Sequence, residues 1–449
     1  MQKGPLPGFR DFYPNELAER AYIMRVWREV ARRFAFVEYD GPPLEPLELY
    51  TKKSGEEIVG QLYNFTDKGG REISLRPEMT PTVARMVGAR ANALRKPVRW
   101  FSTPQLFRYE RQQRGRLREH FQLNVDIFGE ADVTADAELL AVAIDVMREF
   151  GLGTDDVVAR VSDRRLLRAL LARIGVEEAQ VPRVFEVIDK VERQPREVSV
   201  EKLAALGLAA PVVDEVLALV QSATPESLRA RYGDDPAVDE RLSEFERYFD
   251  YLGRLGVREF VRLDLTIVRG LAYYTGIVFE LFDARGELRA ICGGGRYDNL
   301  LEALGGPPMP ALGFGMGDVV LGELLRSRGL EVPAKSPDFW VAAESEEALP
   351  DVMTTATLLR RSRAAVEYAL RPQSLSKQRK AAFSAGASYL VVLGADFRER
   401  RTISLQSLTP TEGIDGLGPL DELMRGKPET LDSLLQVIAE HPQVLTSID

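Results

Sequence analysis

Apolar side chains recur at helical spacing in the first third of the chain, and short strand-like segments interrupt them. This spacing predicts helices over residues 15–36, 80–91 and 130–150. Thr80-Pro81 suits the start of the second helix, because proline is tolerated in a first helical turn. Short apolar runs beside turn residues predict strands within 61–76 and at both ends of 97–129.

From about residue 151 to residue 256 the pattern changes to leucine, alanine, valine and charged residues at helical spacing. Strand signals are few, and the segments Arg164–Ile174 and Val212–Ser222 are the clearest helices. The pattern predicts a helical insertion. Strands return over residues 262–292, where Asp283–Gly286 has the composition of a hairpin turn.

After a linker at Leu330–Lys335, predicted strands and helices alternate as far as residue 394. The strands are predicted at 339–343, 365–370 and 389–394, and the helices at 346–361 and 373–385. This order is typical of a small α/β domain with a mostly parallel sheet. The tail, 408–449, is rich in Pro, Gly and Asp and predicts a helix at 430–440.

The pattern therefore predicts an α+β core in two parts, a helical insertion between them and a C-terminal α/β domain with a tail. The predicted boundaries are 1–150, 151–256, 257–330 and 336–449.

Composition narrows the class of protein. Hydrophobic residues make up 45% and charged residues 28% of the 449, which is ordinary for a folded soluble protein. No apolar run approaches the ~20 residues of a membrane span, and the N-terminus lacks the order of a signal peptide. We therefore expect a cytoplasmic protein without membrane association. With one cysteine, Cys292, and two distant histidines, His120 and His441, we expect no metal site made by protein side chains.

The stretch FRYERQQRGRLREHFQ, residues 107–122, concentrates positive charge in a chain of formal net charge -9. Its arginines are Arg108, Arg111, Arg114, Arg116 and Arg118. On both sides of the loop the side chains alternate with period two, as in a strand with one dry and one polar face. An antiparallel hairpin is the simplest arrangement. Its polar face would carry Arg108, Glu110, Gln122, Asn124 and Asp126.

Two interpretations of this face remain open. Arginine binds phosphate in a planar, bidentate manner, and nearby carboxylates could hold an ammonium group or a metal-bound phosphate. The face could therefore bind an amphoteric ligand together with a polyphosphate. Alternatively, it is a solvated hairpin whose arginines pair with Glu110 and Glu119.

A second group of residues lies in IVRGLAYYTGIVFE, 267–280, and ICGGGRYDNL, 291–300. The latter predicts a strand, a glycine turn and a helix. Arg269 and Arg296 are next to glycines, where a backbone can approach a ligand closely. Tyr273 and Tyr274 could form an aromatic wall. The alternative is a hairpin with core tyrosines and turn glycines. Cys292 has no base near it in sequence, which indicates a packing residue rather than a nucleophile.

Taken together, these segments resemble the histidyl-tRNA synthetase family of class II aminoacyl-tRNA synthetases. The resemblance extends to about residue 406 and includes Pro42 in the region of the dimer-forming first motif. The matching segments, in order, are GFRDFYP, LRPEMT at 75–80, FRYERQQRGRLREHFQ, RGLAYY and GGGRYD.

The resemblance implies a catalytic core built on a mostly antiparallel sheet flanked by helices, a helical insert and an anticodon-binding C-terminal α/β domain. It implies ATP-dependent attachment of L-histidine to tRNA(His) through a histidyl-adenylate. ATP is then a substrate with Mg²⁺, and the protein is a homodimer.

The resemblance also implies roles for individual residues. Those expected at the histidine substrate are Glu78, Met79, Thr80, Arg108, Gln122, Asp126, Arg269, Tyr273 and Tyr274. Arg108 and Arg269 would be catalytic. ATP would contact Arg108, Glu110 and Arg116, and the tRNA acceptor end would contact Arg111 and Arg114. In-line attack at phosphorus needs positioning and positive charge more than a protein nucleophile, which suits this set.

The chain departs from the family pattern in its third motif. An arginine that clamps ATP is expected there, but GFGMGDVVLGELL, residues 313–325, has Val320 at that position. Some members of the family have this GFG-G-D form. Arg114 or Arg296 could replace the missing charge. The departure keeps an alternative open, a synthetase-like regulatory subunit of ATP phosphoribosyltransferase that binds histidine without charging tRNA.

Overall fold

The computed structural model describes residues 4–54, 56–109, 113, 115–268, 273–332, 335–408 and 419–445. The chain divides into two compact units, Met1–Val332 and Pro333–Asp449. Each unit has its own cluster of buried apolar side chains. Among the described residues, no helix combines the length and apolarity needed to cross a bilayer.

Helices and strands alternate irregularly in the first unit. Its helices are α1 (Pro14–Arg33), α2 (Glu48–Ser54), α3 (Thr80–Ala89), α4 (Thr134–Glu149), α5 (Arg164–Arg173), α6 (Val181–Ile188), α7 (Arg196–Ala205), α8 (Ala210–Ser222), α9 (Pro225–Tyr232), α10 (Pro236–Arg254), α11 (Leu300–Ala303) and α12 (Asp318–Ser327). Its strands are β1 (Val37–Glu38), β2 (Leu44–Pro46), β3 (Asn64–Thr66), β4 (Glu72–Leu75), β5 (Val98–Ser102), β6 (Gln105–Phe107), β7 (Glu119–Phe128), β8 (Val157–Asp163), β9 (Val261–Leu263), β10 (Ile277–Asp283), β11 (Cys292–Arg296) and β12 (Ala311–Gly317). The helices predicted at 15–36, 80–91 and 130–150 are confirmed.

A nine-stranded sheet organises this unit. Its order is β1-β5-β7-β12-β11-β10-β8-β9, with β6 paired to β7. All pairs are antiparallel except β1 with β5 and β8 with β9. The predicted fold class, a mostly antiparallel sheet flanked by helices, is confirmed. The predicted hairpin before and after the arginine loop is confirmed as well, because β6 and β7 are antiparallel neighbours.

The central strand β7 has two different faces. Leu123, Val125 and Ile127 are buried in the main apolar cluster, which also contains Trp27 of α1 and Leu140 of α4. The side chains between them point to the opposite face of the sheet, as strand geometry requires. The dry face and the polar face predicted from the sequence are thus confirmed, and the polar face carries the candidate site.

Two predictions about local structure are wrong. Gly293–Gly295 do not form a turn but lie inside β11, in the middle of the sheet. A Cβ atom on Gly294 would lie 2.5 Å from the carbonyl oxygen of Gly313. Strands β11 and β12 are therefore too close at this position for any residue other than glycine. The segment after residue 151 also contains a strand, β8, that pairs with β10. The turn predicted at Asp283–Gly286 is confirmed, since the Gly286 amide donates to the Asp283 carbonyl at 3.0 Å.

Helices α5 and α8 confirm the two helices predicted inside the 151–256 segment. The division of the first unit at residues 151 and 257 stays a prediction.

The second unit is a small α/β domain, as predicted. Its strands are β13 (Phe339–Ala343), β14 (Val366–Tyr368), β15 (Tyr389–Leu393) and β16 (Ile403–Ser407), and its helices are α13 (Leu349–Arg361), α14 (Leu375–Ser384), α15 (Phe397–Arg400), α16 (Pro419–Met424) and α17 (Leu431–Glu440). The sheet order is β14-β13-β15-β16, parallel except for β16. Helix α17, predicted at 430–440, contributes Leu431, Leu434 and Val437 to the core of this unit.

Candidate active site

Glycines in β12 make room for the polar side chains of β7. Gly313 is the strand partner of Asp126, and a Cβ atom on Gly313 would overlap Oδ1 of that aspartate. A Cβ atom on Gly315 would lie 2.7 Å from Cδ of Gln122. The side chains of Asp126 and Gln122 therefore extend across β12 into space that only glycine leaves open.

Asp126 is a buried carboxyl group with one oxygen in use. The Tyr297 hydroxyl donates a hydrogen bond to Asp126 Oδ1. Asp126 Oδ2 is buried and has no hydrogen-bond partner among the described residues. Burial raises the pKa of Asp126 to about 7, and the hydrogen bond from Tyr297 acts in the opposite direction. An unsatisfied acceptor in such a place is costly, so the geometry favours a ligand with an N–H donor.

Three tyrosine rings in mutual contact lead away from this carboxyl group, beginning with Tyr297. The ring centroids of Tyr273 and Tyr274 are 4.7 Å apart, and Tyr273 meets Tyr297 edge to face at 5.8 Å. We call Asp126, Tyr273, Tyr274 and Tyr297 the aspartate–tyrosine cluster. The tyrosine rings can pack against the faces of a flat apolar ligand, while the carboxylate of Asp126 accepts a hydrogen bond from the edge of that ligand. The cluster brings together residues from three of the segments identified in the sequence.

The segment LRPEMT is fixed beside the arginine hairpin. Arg76, buried, donates to the carbonyl oxygens of Gly41 at 2.7 Å and Gln105 at 3.0 Å. Arg108 Nε donates to the carbonyl oxygen of Pro77 at 3.0 Å. The start of α3 is therefore held next to Arg108.

Three predicted histidine-binding residues stand at this helix start. Glu78 is buried, Met79 is fully buried, and Thr80 begins α3.

A cavity of about 800 Å³ opens beyond Arg108 on the same face of the sheet. Its charged lining includes four carboxylates and five guanidinium groups. We call it the arginine-lined cavity after the latter: Arg108, Arg116, Arg160, Arg193 and Arg289. Gln122 and two glycines of β12, Gly315 and Gly317, form part of its floor. Burial, together with the positive charges of Arg108, Arg10 and Arg116, lowers the pKa of His120 to about 3. His120 is therefore neutral at physiological pH and adds no charge to the cavity.

A buried network holds the start of β7 under the arginine loop. Arg10 pairs with Glu119 at 2.7 Å and with Asp318 at 2.9 Å, and Asp318 also accepts from the Phe121 amide at 2.9 Å. Gln105 donates to the second oxygen of Glu119 at 2.9 Å. Glu119 is therefore bound by Arg10 and by Gln105.

Arg296 does not serve the cavity. It is 2% exposed, and its Nε lies 3.2 Å from the carboxylate of Asp136. Its Nη1 also donates to Asp298 at 3.3 Å and to the carbonyl oxygen of Glu130 at 2.9 Å. The expectation that Arg296 could replace the missing third-motif arginine is wrong, because its position in β11 directs it into the protein interior.

Four predicted site residues lie outside the described residues: Glu110, Arg111, Arg114 and Arg269. Tyr297, His120 and Arg289 were not predicted as site residues from the sequence. Tyr297 carried a signal, since it follows GGGR in a segment already singled out. His120 and Arg289 could be identified only from their positions in the folded structure. Cys292 is buried in β11, as a packing residue would be. Among the described residues, no group of three or more His, Cys, Asp or Glu is arranged to hold a metal ion.

Comparisons with known proteins agree on one family. The sequence profile described as "Histidyl-tRNA synthetase" matches residues 8–317. A protein of Opitutus terrae named "Histidine--tRNA ligase" is 45% identical over 422 residues, covering 91% of this chain and 95% of the relative. A protein of the same name from Thermoplasma volcanium is 37% identical over 414 residues, covering 92% and 96%.

Solved structures show the same fold. The crystal structure of histidyl-tRNA synthetase from Nostoc sp. PCC 7120 has a TM-score of 0.81 at 23% identity, covering 95% of this chain and 99% of that one. An "ATP phosphoribosyltransferase regulatory subunit/histidyl-tRNA synthetase" from Bacillus halodurans C has a TM-score of 0.72 at 23% identity, covering 87% and 98%. At this identity, both likenesses concern the fold alone.

Proposed function

The chain belongs to the histidyl-tRNA synthetase family, and we propose that histidine binds at the aspartate–tyrosine cluster while ATP binds in the arginine-lined cavity. The chain is an aminoacyl-tRNA synthetase that attaches histidine to tRNA with ATP as a substrate. The observation that carries the placement of histidine is the buried Oδ2 of Asp126, which has no hydrogen-bond partner in the described part of the chain and lies on a carboxyl group bonded to Tyr297.

At the histidine end, an imidazole N–H donates to Asp126 Oδ2. The rings of Tyr273 and Tyr274 pack against the imidazole, and Tyr297 holds the carboxylate in place. The ammonium group of the substrate lies towards Glu78 and Thr80. Asp126 supplies the carboxylate that recognises the ring.

At the nucleotide end, Arg108 and Arg116 bind the phosphates of ATP in the cavity that both residues line. Gln122 lies four residues before Asp126 on the same face of β7, about 13 Å away at the rise of a strand. Arg108 and Gln122 are thus placed between the two ends, where the substrate carboxylate meets the α-phosphate. By the family pattern, Glu110 contacts ATP as well.

The first reaction is an in-line displacement at the α-phosphorus. A carboxylate oxygen of histidine forms the new P–O bond, the bond to the bridging oxygen of the β-phosphate breaks, and pyrophosphate leaves with that electron pair. Arg108 and Arg269 stabilise the charge that develops on the equatorial oxygens. No side chain of the protein needs to become covalently attached.

Mg²⁺ enters this site with ATP as the counter-ion of its phosphates. Carboxylates that line the cavity include Asp189, Glu192, Glu280 and Asp283. Asp283 is bound to Arg328 at 2.7 Å and Glu192 to Arg160 at 2.8 Å. Glu280 lies in β10 and lines the same cavity.

The acceptor end of tRNA(His) approaches Arg111 and Arg114 in the arginine loop, as phosphate contacts that position the strand. The C-terminal α/β unit binds the anticodon. We further propose a cytoplasmic homodimer that belongs to the GFGMGD branch of the family. An exposed apolar side chain close in sequence to Pro42 supports the dimer, because Val37 is 62% exposed.

The second candidate function is the histidine-binding regulator named in the Bacillus halodurans structure. Two observations favour the synthetase. The relatives named as ligases are 45% and 37% identical over about nine-tenths of the chain, whereas the Bacillus halodurans structure is 23% identical. Arg108, Arg116 and Gln122 also line the cavity, as adenylate formation requires.

The experiment that decides is aminoacylation of tRNA(His) with labelled histidine by the purified chain. We expect histidine-dependent charging that requires ATP. Histidine binding without tRNA binding or charging would instead support the regulator.

A further inference from the structure

The nucleotide end of the site has an apolar wall where the family pattern predicts a cation. Val320 lies in the first turn of α12 and lines the arginine-lined cavity. Its residual exposure is 9%, so the side chain closes the wall without adding charge. A triphosphate bound against this wall would need its counter-charge from another element of the fold.

Arg289 lies next to this wall. The position that a Cβ atom would occupy on Gly115 is 3.3 Å from Cγ2 of Val320 and 3.8 Å from Cδ of Arg289. Two side chains from different elements therefore converge on one point of the arginine loop. The guanidinium group of Arg289 donates to the amide oxygen of Gln113 in the same loop. The charge of Arg289 is thus presented to the cavity beside Val320.

The hairpin that carries Arg289 is firmly held. It joins β10 to β11, and its turn is built on Asp283, whose carboxylate accepts from the amides of Arg285 and Glu287 at 3.1 Å. Arg328 donates to the same carboxylate at 2.7 Å. Beyond the turn, the Ile291 amide donates a hydrogen bond to the carbonyl oxygen of Leu281 at 2.8 Å. Arg289 therefore extends from a loop whose backbone is fixed by these hydrogen bonds.

Arg289 is also available for a ligand. It is exposed, and within the described part of the chain it forms a hydrogen bond to Gln113 but no ion pair with a carboxylate. Arg160, in the same cavity, is paired with Glu192 at 2.8 Å and with Asp264 at 3.3 Å. Arg296 is buried against Asp136, as described above.

We propose that Arg289 supplies the ATP-binding charge that the third motif lacks, by holding the triphosphate against the Val320 wall. The proposal rests on the assignment of the arginine-lined cavity to ATP. Arginine suits this role because its planar fork donates two parallel hydrogen bonds to phosphate oxygens.

The test compares three variants with the wild-type chain in histidine-dependent ATP–pyrophosphate exchange. Arg289→Ala should raise KM for ATP about 10- to 100-fold, the loss of one charge-assisted contact, and leave KM for histidine unchanged. Arg285→Ala, on the same hairpin but outside the cavity lining, is the matched control and should change neither constant. In the double variant Arg289→Ala with Val320→Arg, the affinity for ATP should recover in part, because the new guanidinium enters the cavity from the adjoining wall.

Thermal melting shows whether each variant is folded. An unchanged KM for ATP in active Arg289→Ala would overturn the proposal. A folded double variant that remains as weak as Arg289→Ala would contradict the claim that the two positions serve one phosphate. Direct titration with a non-hydrolysable ATP analogue separates this proposal from the proposed function. If the wild-type chain shows no exchange, the synthetase assignment fails, whereas weaker analogue binding by Arg289→Ala still supports the role of Arg289 and equal binding refutes it.

Discussion

The two ends of the site use opposite physical means. The aspartate–tyrosine cluster is dry and closed: Asp126 is 3% exposed, its carboxyl pKa is raised to about 7, and one oxygen is bonded to Tyr297. The arginine-lined cavity is open, with a volume of about 800 Å³, and guanidinium and carboxylate groups both line its polar surface. The closed end suits a small ring that must be distinguished from similar rings, and the open end suits a polyphosphate that arrives with its counter-ions.

This difference predicts where selectivity arises. In a buried cluster, a ligand that leaves Asp126 Oδ2 unpaired incurs the full desolvation cost of a buried acceptor, which makes discrimination strong. In an open cavity, charged contacts are shared among several guanidinium groups and are screened by water and salt. Changes at the closed end should therefore alter amino-acid recognition, and changes at the open end should alter ATP affinity and rate.

The largest effect is expected where the two ends meet. Arg108→Ala removes the cation between the substrate carboxylate and the α-phosphate, so kcat/KM for exchange should fall on the order of 100- to 1000-fold. Arg118→Ala is the matched control, because Arg118 stacks on the Tyr109 ring at 4.5 Å and is not among the cavity-lining residues. Equal losses in both variants would show a general effect of loop charge.

A smaller effect is expected from Asp126→Asn, which keeps the shape and removes the charge. KM for histidine should rise by about 10- to 100-fold while KM for ATP stays constant. The pH dependence should change as well. Since the pKa of Asp126 is about 7, the wild-type chain should lose histidine affinity as the pH falls below that value and the carboxylate becomes protonated. The variant should show only the titration of the substrate, and a KM profile identical to wild type would refute the role of Asp126.

The smallest effect is expected from Tyr297→Phe, which removes one hydrogen bond from Asp126 and leaves the ring. KM for histidine should rise about 3- to 10-fold. Because the bond from Tyr297 lowers the pKa of Asp126, the inflection of the histidine KM profile should move to higher pH in the variant. Tyr248→Phe, a buried tyrosine in α10, is the control for loss of a buried hydroxyl. If only KM changed and the inflection stayed in place, Tyr297 would have a packing role alone.

Structural features that follow from a repeating pattern of apolar and polar residues could be predicted from the sequence. Features that depend on contacts between segments distant in sequence could not. The alternation in β7 was visible because Leu123, Val125 and Ile127 are apolar and their neighbours are polar. Gly293–Gly295 were wrongly predicted to form a turn. Because glycines have no side chain, they show no alternation of apolar and polar residues that would indicate a strand. The strand β8 was missed although Val157, Ala159 and Val161 alternate, since it lies in a stretch rich in leucine, alanine and charge.

The site shows the same division. Residues within recognisable motifs, such as Arg108, Gln122 and Asp126, could be identified before the fold was known. The partner of Asp126 could not, because the contact with Tyr297 crosses the sheet from β7 to the end of β11. Arg289 could not either, since its relevance arises when the β10–β11 hairpin places it beside Val320 and Gly115.

The most direct measurement is ATP–pyrophosphate exchange by the wild-type chain with histidine, and with other amino acids as controls. We predict exchange with histidine alone, at a KM for histidine that depends on a group with a pKa of about 7. This result would show that the chain activates its amino acid with Val320 in place of the third-motif arginine. No exchange, with histidine still bound, would contradict the account and identify the chain as a histidine-binding protein without synthetase activity.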